Sequence, residues 1–324
     1  MFFSPLEVKA RVMGLQAFVC SPFTDDNEID TRSFQKHLHD LTSISGFQPA
    51  GCFVCCGTGE FWSLTLADYK LLVSAAVQEI KGKLPVIAGV GYGTQMAIEY
   101  AKAAEESGAD GILVFPPYLV VAPQEGLFEH YSRIAKLTRL AVFVYNRDNA
   151  SFESETINRF TEIPNIIGVK DGIGNMDLLT RFQKVVGDRF VFVNGMPSAE
   201  MYAETYFYAG IRSYSPGVFD FLPELSWIFD RALNACNTEL VQQLVEQFYK
   251  PYTALRGKGL GYGVSLVKTG LRLRGKPVGS VRLPLINPKN EHIDELERLI
   301  DKGLELSHVY GSYQPVEKKA RSRI

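Results

Sequence analysis

Ile166-Ile167-Gly168-Val169-Lys170, followed by Asp171-Gly172, is the stretch from which the fold of this chain can be read. Its apolar residues are mostly β-branched and favour a strand, and Asp-Gly closes the run with turn chemistry. The run is continuous rather than alternating, as in a parallel strand covered on both faces. Outward from it, in both directions, the pattern recurs. Apolar runs at 15–20, 51–56, 86–90, 111–115, 141–145, 190–194 and 211–215 each give way to Gly, Pro or polar residues and then to a helical period. The period predicts helices at 67–80 and 96–107, the second stopped by Gly108. Eight strand-then-helix units in about 220 residues is the count of a (β/α)8 TIM barrel, an α/β fold.

The competing architecture, an open doubly wound sheet, calls in its dinucleotide-binding form for G-x-G-x-x-G after an early strand. Here Gly89-Val90-Gly91-Tyr92-Gly93-Thr94 follows the third run and lacks the third glycine in position. It reads as a tight strand-to-helix turn with Thr94 as N-cap. Past Asp220 the strand signals stop, and helices are predicted at 223–234, 238–255, 265–273 and 291–306. The expected division is a barrel over 1–235 with a short N-terminal segment, a C-terminal helical extension over 236–310, and a flexible tail over 311–324.

Composition narrows the function classes. A net charge of −2 over 324 residues offers no basic footprint for nucleic acid and no polybasic membrane patch. With 46% hydrophobic and 22% charged residues, the chain is an ordinary globular protein. The longest apolar stretch, 111–121, is broken by Pro116 and Pro117. No basic segment followed by an apolar run opens the chain, so a cytoplasmic location is expected. Cys52, Cys55 and Cys56 form C-x-x-C-C within a strand pattern, which predicts buried reduced thiols rather than a metal or redox pair. His37, His39 and His130 fall in predicted helices and are assigned to solvated faces; no metal site is predicted. The aromatic-rich stretch 202–208 reads as helix core.

In a barrel the chemistry gathers where the strands end. The second run leads into Gly57-Thr58-Gly59-Glu60 and the fourth into Pro116-Pro117-Tyr118. The fifth ends in Tyr145-Asn146-Arg147-Asp148-Asn149, and the seventh in Asn194-Gly195-Met196-Pro197-Ser198. Lys170 closes the sixth, so its stem should enter the barrel mouth. There it gives up hydration, which favours the neutral amine that attacks a carbonyl. The alternative is a structural lysine paired with a barrel carboxylate. Neighbouring strands lie ~4.8 Å apart, so the phenol of Tyr145 can reach atoms bonded to Lys170. The hydroxyl of Thr58 could extend a proton relay from it. Read singly, Tyr145 is as well a core plug and Thr58 a helix N-cap; the lysine and tyrosine on consecutive strands favour catalysis.

Gly57-x-Gly59-Glu60, Tyr145 and Lys170, each at its strand end, resemble the pyruvate-dependent class I aldolase and dehydratase family, which includes dihydrodipicolinate synthase and N-acetylneuraminate lyase. The resemblance runs from about residue 14 to 306. Three segments carry it further: Tyr145-Asn146-Arg147-Asp148-Asn149-Ala150, Val169-Lys170-Asp171-Gly172-Ile173-Gly174 and Pro116-Pro117-Tyr118-Leu119. They look most like members that dehydrate and decarboxylate 5-dehydro-4-deoxyglucarate to 2,5-dioxopentanoate. Dihydrodipicolinate synthase differs in having Gly-Thr-Thr-Gly-Glu and an arginine five residues beyond the tyrosine, where this chain has Gly57-Thr58 and Ala150.

The resemblance implies a Schiff-base lyase with Lys170, Tyr145 and Thr58 as catalytic residues and no cofactor beyond the lysine imine. It implies a small sugar-diacid substrate, no metal, no nucleic acid or membrane partner, and a homotetramer with Tyr118 near a subunit contact. Two carboxylates then need donors at both ends of the site. The backbone of Gly57 and Gly59 suits the one beside the ketone. Arg147 and Ser198, with Asn149 behind them and Gly195 and Tyr118 nearby, are candidates for the rest. Arg147 is equally read as ion-paired with Asp148 or Glu60. The rival functions are a 2-keto-3-deoxy sugar-acid aldolase and a catalytically silent, ligand-binding barrel.

Overall fold

The computed structural model describes residues 2–311. Eight parallel strands follow one another in chain order: β1 (Gln16–Phe18), β2 (Gly51–Val54), β3 (Val86–Val90), β4 (Gly111–Val114), β5 (Ala141–Asn146), β6 (Ile166–Asp171), β7 (Val191–Asn194) and β8 (Ser213–Tyr214). Leu15 bridges to Tyr214 in parallel, and the Tyr214 N–H donates to the Gly14 carbonyl at 3.2 Å, which brings the two ends together. The eight runs therefore form the (β/α)8 barrel expected of them. The last strand is two residues long because Pro216, with no N–H, cannot extend the ladder.

The strands separate two cores. Inside the barrel, Phe18, Phe53, Leu113, Phe143, Ile167 and Val193 fill the axis. Phe18 stacks on Phe53 at 4.3 Å, and Phe53 meets Phe143 edge-on at 5.8 Å. Below them the helix Pro5–Arg11, opened by a Ser4/Glu7 capping box, presses Val8 into the same cluster. Asp110, just ahead of β4, accepts from the Phe2 and Phe3 N–H groups and fixes this plug at the N-terminal end of the strands. Only the C-terminal mouth is left open. Outside, a larger core lies between the strands and the surrounding helices.

Several local expectations change here. The helix after β3 spans Thr94–Glu106, with Gly93 and not Thr94 as N-cap. The Thr94 hydroxyl is instead 2.9 Å from His130 Nδ1. His130 and His37 are buried, not solvated, because their helices are covered by neighbours on that face. His37 Nε2 lies 2.6 Å from Asp220, and burial pushes His130 down to about 4. His39 does stay on an open face, 3.0 Å from Glu79. Within 202–208, Tyr206 and Phe207 are buried whereas Tyr202 and Tyr208 face outward, so that stretch is core on one side only. Cys52, Cys55 and Cys56 are buried free thiols, and burial pushes Cys56 up to about 12.

Beyond β8 the chain is helical: Pro223–Asn234, Thr238–Leu244, a π-helical stretch Val245–Tyr249, Lys250–Arg256, Tyr262–Leu273 and Asn290–Tyr310. Leu296, Ile300 and Leu306 of the last helix join the outer core. A buried ion pair fastens this extension to the mouth. Lys268 Nζ, on Tyr262–Leu273, donates to Glu60 Oε1 at 2.7 Å, and neither side chain touches solvent. Lys268 also donates to the Ser280 carbonyl, and Glu60 Oε2 accepts from the Arg282 N–H, at 2.9 and 2.8 Å. The glutamate of the Gly57-x-Gly59-Glu60 turn is thus an anchor for the extension. No helix among the described residues is long and apolar enough to cross a membrane. Residues 312–324, most of the expected tail, lie outside the described residues.

Candidate active site

The site begins with an irregularity in β6. Register against β5 runs Val142↔Ile166 and then Phe143↔Gly168, so Ile167 is an extra residue, a bulge. Ile166 and Val169 face the outer core and Ile167 the inner one. Strict alternation from Ile167 would turn residue 170 outward. The bulge resets the phase, so that Lys170 pairs with Tyr145 and both side chains enter the barrel. Gly168 makes this possible: a Cβ there would stand 2.6 Å from the Val191 carbonyl oxygen and 2.8 Å from the Phe143 ring.

Lys170 is 7% exposed. Its Nζ lies 4.1 Å from the centre of the Phe18 ring and 4.5 Å from that of Tyr145. Among the described residues no carboxylate forms an ion pair with it, so the paired structural lysine is not what is found. Gly195 crosses directly above the stem; a Cβ there would meet Lys170 Cε at 2.6 Å and the Asp171 carbonyl at 2.9 Å. Tyr145 Oη donates to the Gly195 carbonyl at 3.3 Å and accepts from Arg147 Nη1 at 3.0 Å. Arg147 Nε bonds Asp148 at 3.1 Å, and Glu60 is occupied elsewhere. The guanidinium therefore serves the tyrosine and Asp148 together. Asp171 is buried and accepts from Asn146 Nδ2 at 2.7 Å, from the Gly174 N–H at 2.9 Å and from the Tyr206 hydroxyl at 2.5 Å. These bonds make it a fixed post for the loop behind the lysine.

These groups open into a cavity of about 590 Å³ at the C-terminal mouth. Gly57 and Thr58 stand in its wall. Thr58 caps no helix, since the 3₁₀ turn Phe61–Ser63 starts from Glu60, and its hydroxyl does not bond to Tyr145. A Cβ at Gly59 would stand 3.0 Å from the Cys55 backbone nitrogen and 3.1 Å from its Cα, which leaves little room for a side chain. Asn149 Nδ2 bonds the Pro117 and Val120 carbonyls, both at 2.6 Å, and so shapes the rim loop rather than the cavity floor. On that loop Tyr118 is exposed, as are Leu119 and Val121. Ser198 lines the cavity, but its Oγ is buried and unpartnered, and its backbone is left-handed at φ 54°.

Sequence reasoning missed one side of the cavity, formed by Glu200, Tyr252, Arg256, Gly263 and Val267. Most of these come from the helical extension, far along the chain from the strand ends. The one signal in the sequence is the glycine-rich run Arg256-Gly257-Lys258-Gly259-Leu260-Gly261-Tyr262-Gly263. Glu200 is buried just after β7, and burial pushes its carboxyl up to about 7, against the opposing pull of Arg256.

The Dihydrodipicolinate synthetase family matches residues 11–303. A protein of Streptomyces griseus named "Probable 5-dehydro-4-deoxyglucarate dehydratase" is 44% identical over 306 residues, which cover 93% of this chain and 95% of that protein. A Rhizobium rhizogenes protein of the same name is 42% identical over 300 residues, 92% of this chain and 98% of the relative. The crystal structure of dihydrodipicolinate synthase from Oceanobacillus iheyensis superposes with a TM-score of 0.85 at 24% identity, covering 93% of this chain and 99% of that one. A sialic acid aldolase of Ruminococcus gnavus gives 0.83 at 19% identity, over 93% and 99%. Both are likenesses of fold.

Proposed function

The chain belongs to the dihydrodipicolinate synthetase family, and on that premise we propose that it is a Schiff-base lyase that converts 5-dehydro-4-deoxyglucarate to 2,5-dioxopentanoate, CO2 and water. The observation that carries the reading is the Lys170 amine, inside the mouth, with no carboxylate partner among the described residues and paired across the ladder with Tyr145. The names of the relatives supply the substrate.

Lys170 Nζ adds to the ketone carbon and the carbonyl oxygen leaves as water, giving an iminium. That cation acidifies the adjacent methylene, and loss of its proton gives an enamine. The enamine expels the β-hydroxyl, which takes a proton and departs as water, leaving a conjugated iminium. The C–C bond to the far carboxylate then breaks; its electrons enter the conjugated system and CO2 leaves. Reprotonation and hydrolysis by one water return product and free lysine. Tyr145 is the group placed to carry protons at these atoms, with Thr58 in the wall of the same cavity. Arg147 positions the Tyr145 hydroxyl by donating to it. The Gly57 and Gly59 turn holds the carboxylate beside the ketone, Gly195 confines the lysine, and Ser198 and Asn149 shape the surrounding wall. The iminium is itself the electron sink, so this chemistry calls for no other cofactor. The setting we propose is a cytoplasmic homotetramer, with the exposed apolar rim around Tyr118 covered by a neighbouring subunit.

Incubation with the diacid should release CO2 and 2,5-dioxopentanoate, and borohydride should add the mass of the reduced adduct at Lys170. Lys170→Ala should abolish both and keep the fold by circular dichroism. Pyruvate formed without CO2 would make the protein an aldolase; no adduct would sink the enzyme reading altogether.

A further inference from the structure

The mechanism leaves the far carboxylate of the substrate without a partner, and the residues first assigned to it are partly committed elsewhere or withdrawn into the wall. Arg147 has donors committed to Tyr145 and Asp148, and the Ser198 hydroxyl is buried in the wall. Arg256 is different. It ends the helix Lys250–Arg256, lines the same cavity as Lys170, and is half-buried. Among the described residues its guanidinium makes no hydrogen bond and no ion pair. The chain also makes room for it: a Cβ at Gly263 would stand 2.8 Å from Arg256 Nη2 and 3.1 Å from Nε. Thus the guanidinium lies flat on the first turn of Tyr262–Leu273, whose N-cap, Gly261, offers no side-chain acceptor.

Resting on the Schiff-base reading, we infer that Arg256 is the specificity residue that recognises the far carboxylate of the sugar diacid and rejects analogues ending in a hydroxymethyl group. Planar guanidinium and planar carboxylate match as a fork, whereas a hydroxymethyl group would leave the cation unpaired. Glu200, on the same cavity wall, has its carboxyl pushed up to about 7 by burial against the pull of Arg256, so below that pH it is mostly protonated and leaves the charge of the arginine uncompensated. The half-exposed setting also suits the chemistry. A deeply buried clamp would stabilise the carboxylate against leaving as CO2, while a contact shared with water favours binding more than it opposes decarboxylation.

The test compares Arg256→Gln with the wild-type enzyme on the diacid and on the monoacid of equal length that ends in CH2OH. The variant should lose about 10- to 100-fold in kcat/KM for the diacid, mostly through KM, and little for the monoacid, which is the range of a charged hydrogen bond. Pyruvate, which has no far end, should still be trapped on Lys170 by borohydride in the variant. Equal losses on both substrates, or none on the diacid, would overturn the assignment of Arg256 while leaving the lyase intact. Failure of wild-type enzyme to trap pyruvate would instead remove the Schiff-base reading, and this inference with it.

Discussion

Gly195 sets where the Lys170 amine can go. Its Cα lies against the lysine stem so closely that one added methyl group would stand 2.6 Å from Cε and 2.7 Å from Cγ, with the Asp171 carbonyl blocking retreat at 2.9 Å. The stem, and not the backbone, is the softer partner, so Gly195→Ala should push the amine off its position between Phe18 and Tyr145. A displacement of about 1 Å costs a nucleophile on the order of 100-fold in rate. The expected result is a 100-fold slower formation of the borohydride-trapped adduct, at a stability cost of about 1–3 kcal/mol read from a denaturant midpoint. An adduct forming at wild-type speed would mean that the lysine reaches its ketone by another path. The lysine and tyrosine were legible in the sequence because each closes an apolar run. Gly195 and the Arg147–Tyr145 bond were not read that way, because both are contacts between strand ends whose geometry no local pattern encodes.

At the scale of the element, the bulge in β6 decides whether Lys170 faces the cavity or the helices. A continuous apolar run carries no alternation, so it shows that a strand exists and hides a one-residue slip. That is why the sequence placed Lys170 at a strand end yet said nothing of how it turns inward. Gly168→Ala should disfavour the bulge, since the new Cβ meets the Val191 carbonyl at 2.6 Å and the Phe143 ring at 2.8 Å. Overpacking of this kind costs about 1–3 kcal/mol, and any relaxation that straightens the strand rotates Lys170 out of the mouth. Chemical denaturation should show the loss of stability, and trapping with pyruvate should fall with it. A variant of full stability and full trapping would show that the phase is fixed elsewhere. The buried histidines illustrate the converse limit. Helical period locates a helix, but whether a given face meets solvent depends on what packs there, and His37 and His130 each meet a single polar partner inside. The cavity wall around Arg256 escaped for a related reason: strand ends can be counted along the chain, whereas the helices that fold back over the mouth cannot be placed by counting.

Over the whole molecule, buried titratable groups of opposite sign shape how stability varies with pH. Glu200, held at about 7 by burial, keeps its proton in the fold, whereas the unfolded chain gives it up above about 4.5. Between those values unfolding releases a proton, so the contribution of Glu200 is full below 4.5 and is lost as pH rises to 7. Asp230, pushed up to about 6 by burial, adds a slope of the same sign from its ordinary 3.8. His130 acts in the other direction. Burial holds it at about 4, so the unfolded chain takes up a proton below 6.5 that the fold refuses, and stability falls as pH drops from 6.5 to 4. The slopes of Glu200 and His130 therefore oppose each other between about pH 4.5 and 6.5. Removing one should expose the other. Stability of Glu200→Gln relative to the parent should rise with pH across 4.5 to 7, on the order of 1 kcal/mol per pH unit. For His130→Gln the relative stability should fall with pH between 4 and 6.5 by a similar slope. Each substitution also shifts packing by a constant amount, which leaves the slope untouched, so denaturant midpoints taken at half-unit steps of pH suffice. Curves that stay parallel to the parent would mean that these groups titrate normally in the fold, and the buried environments assigned to Glu200 and His130 would be wrong.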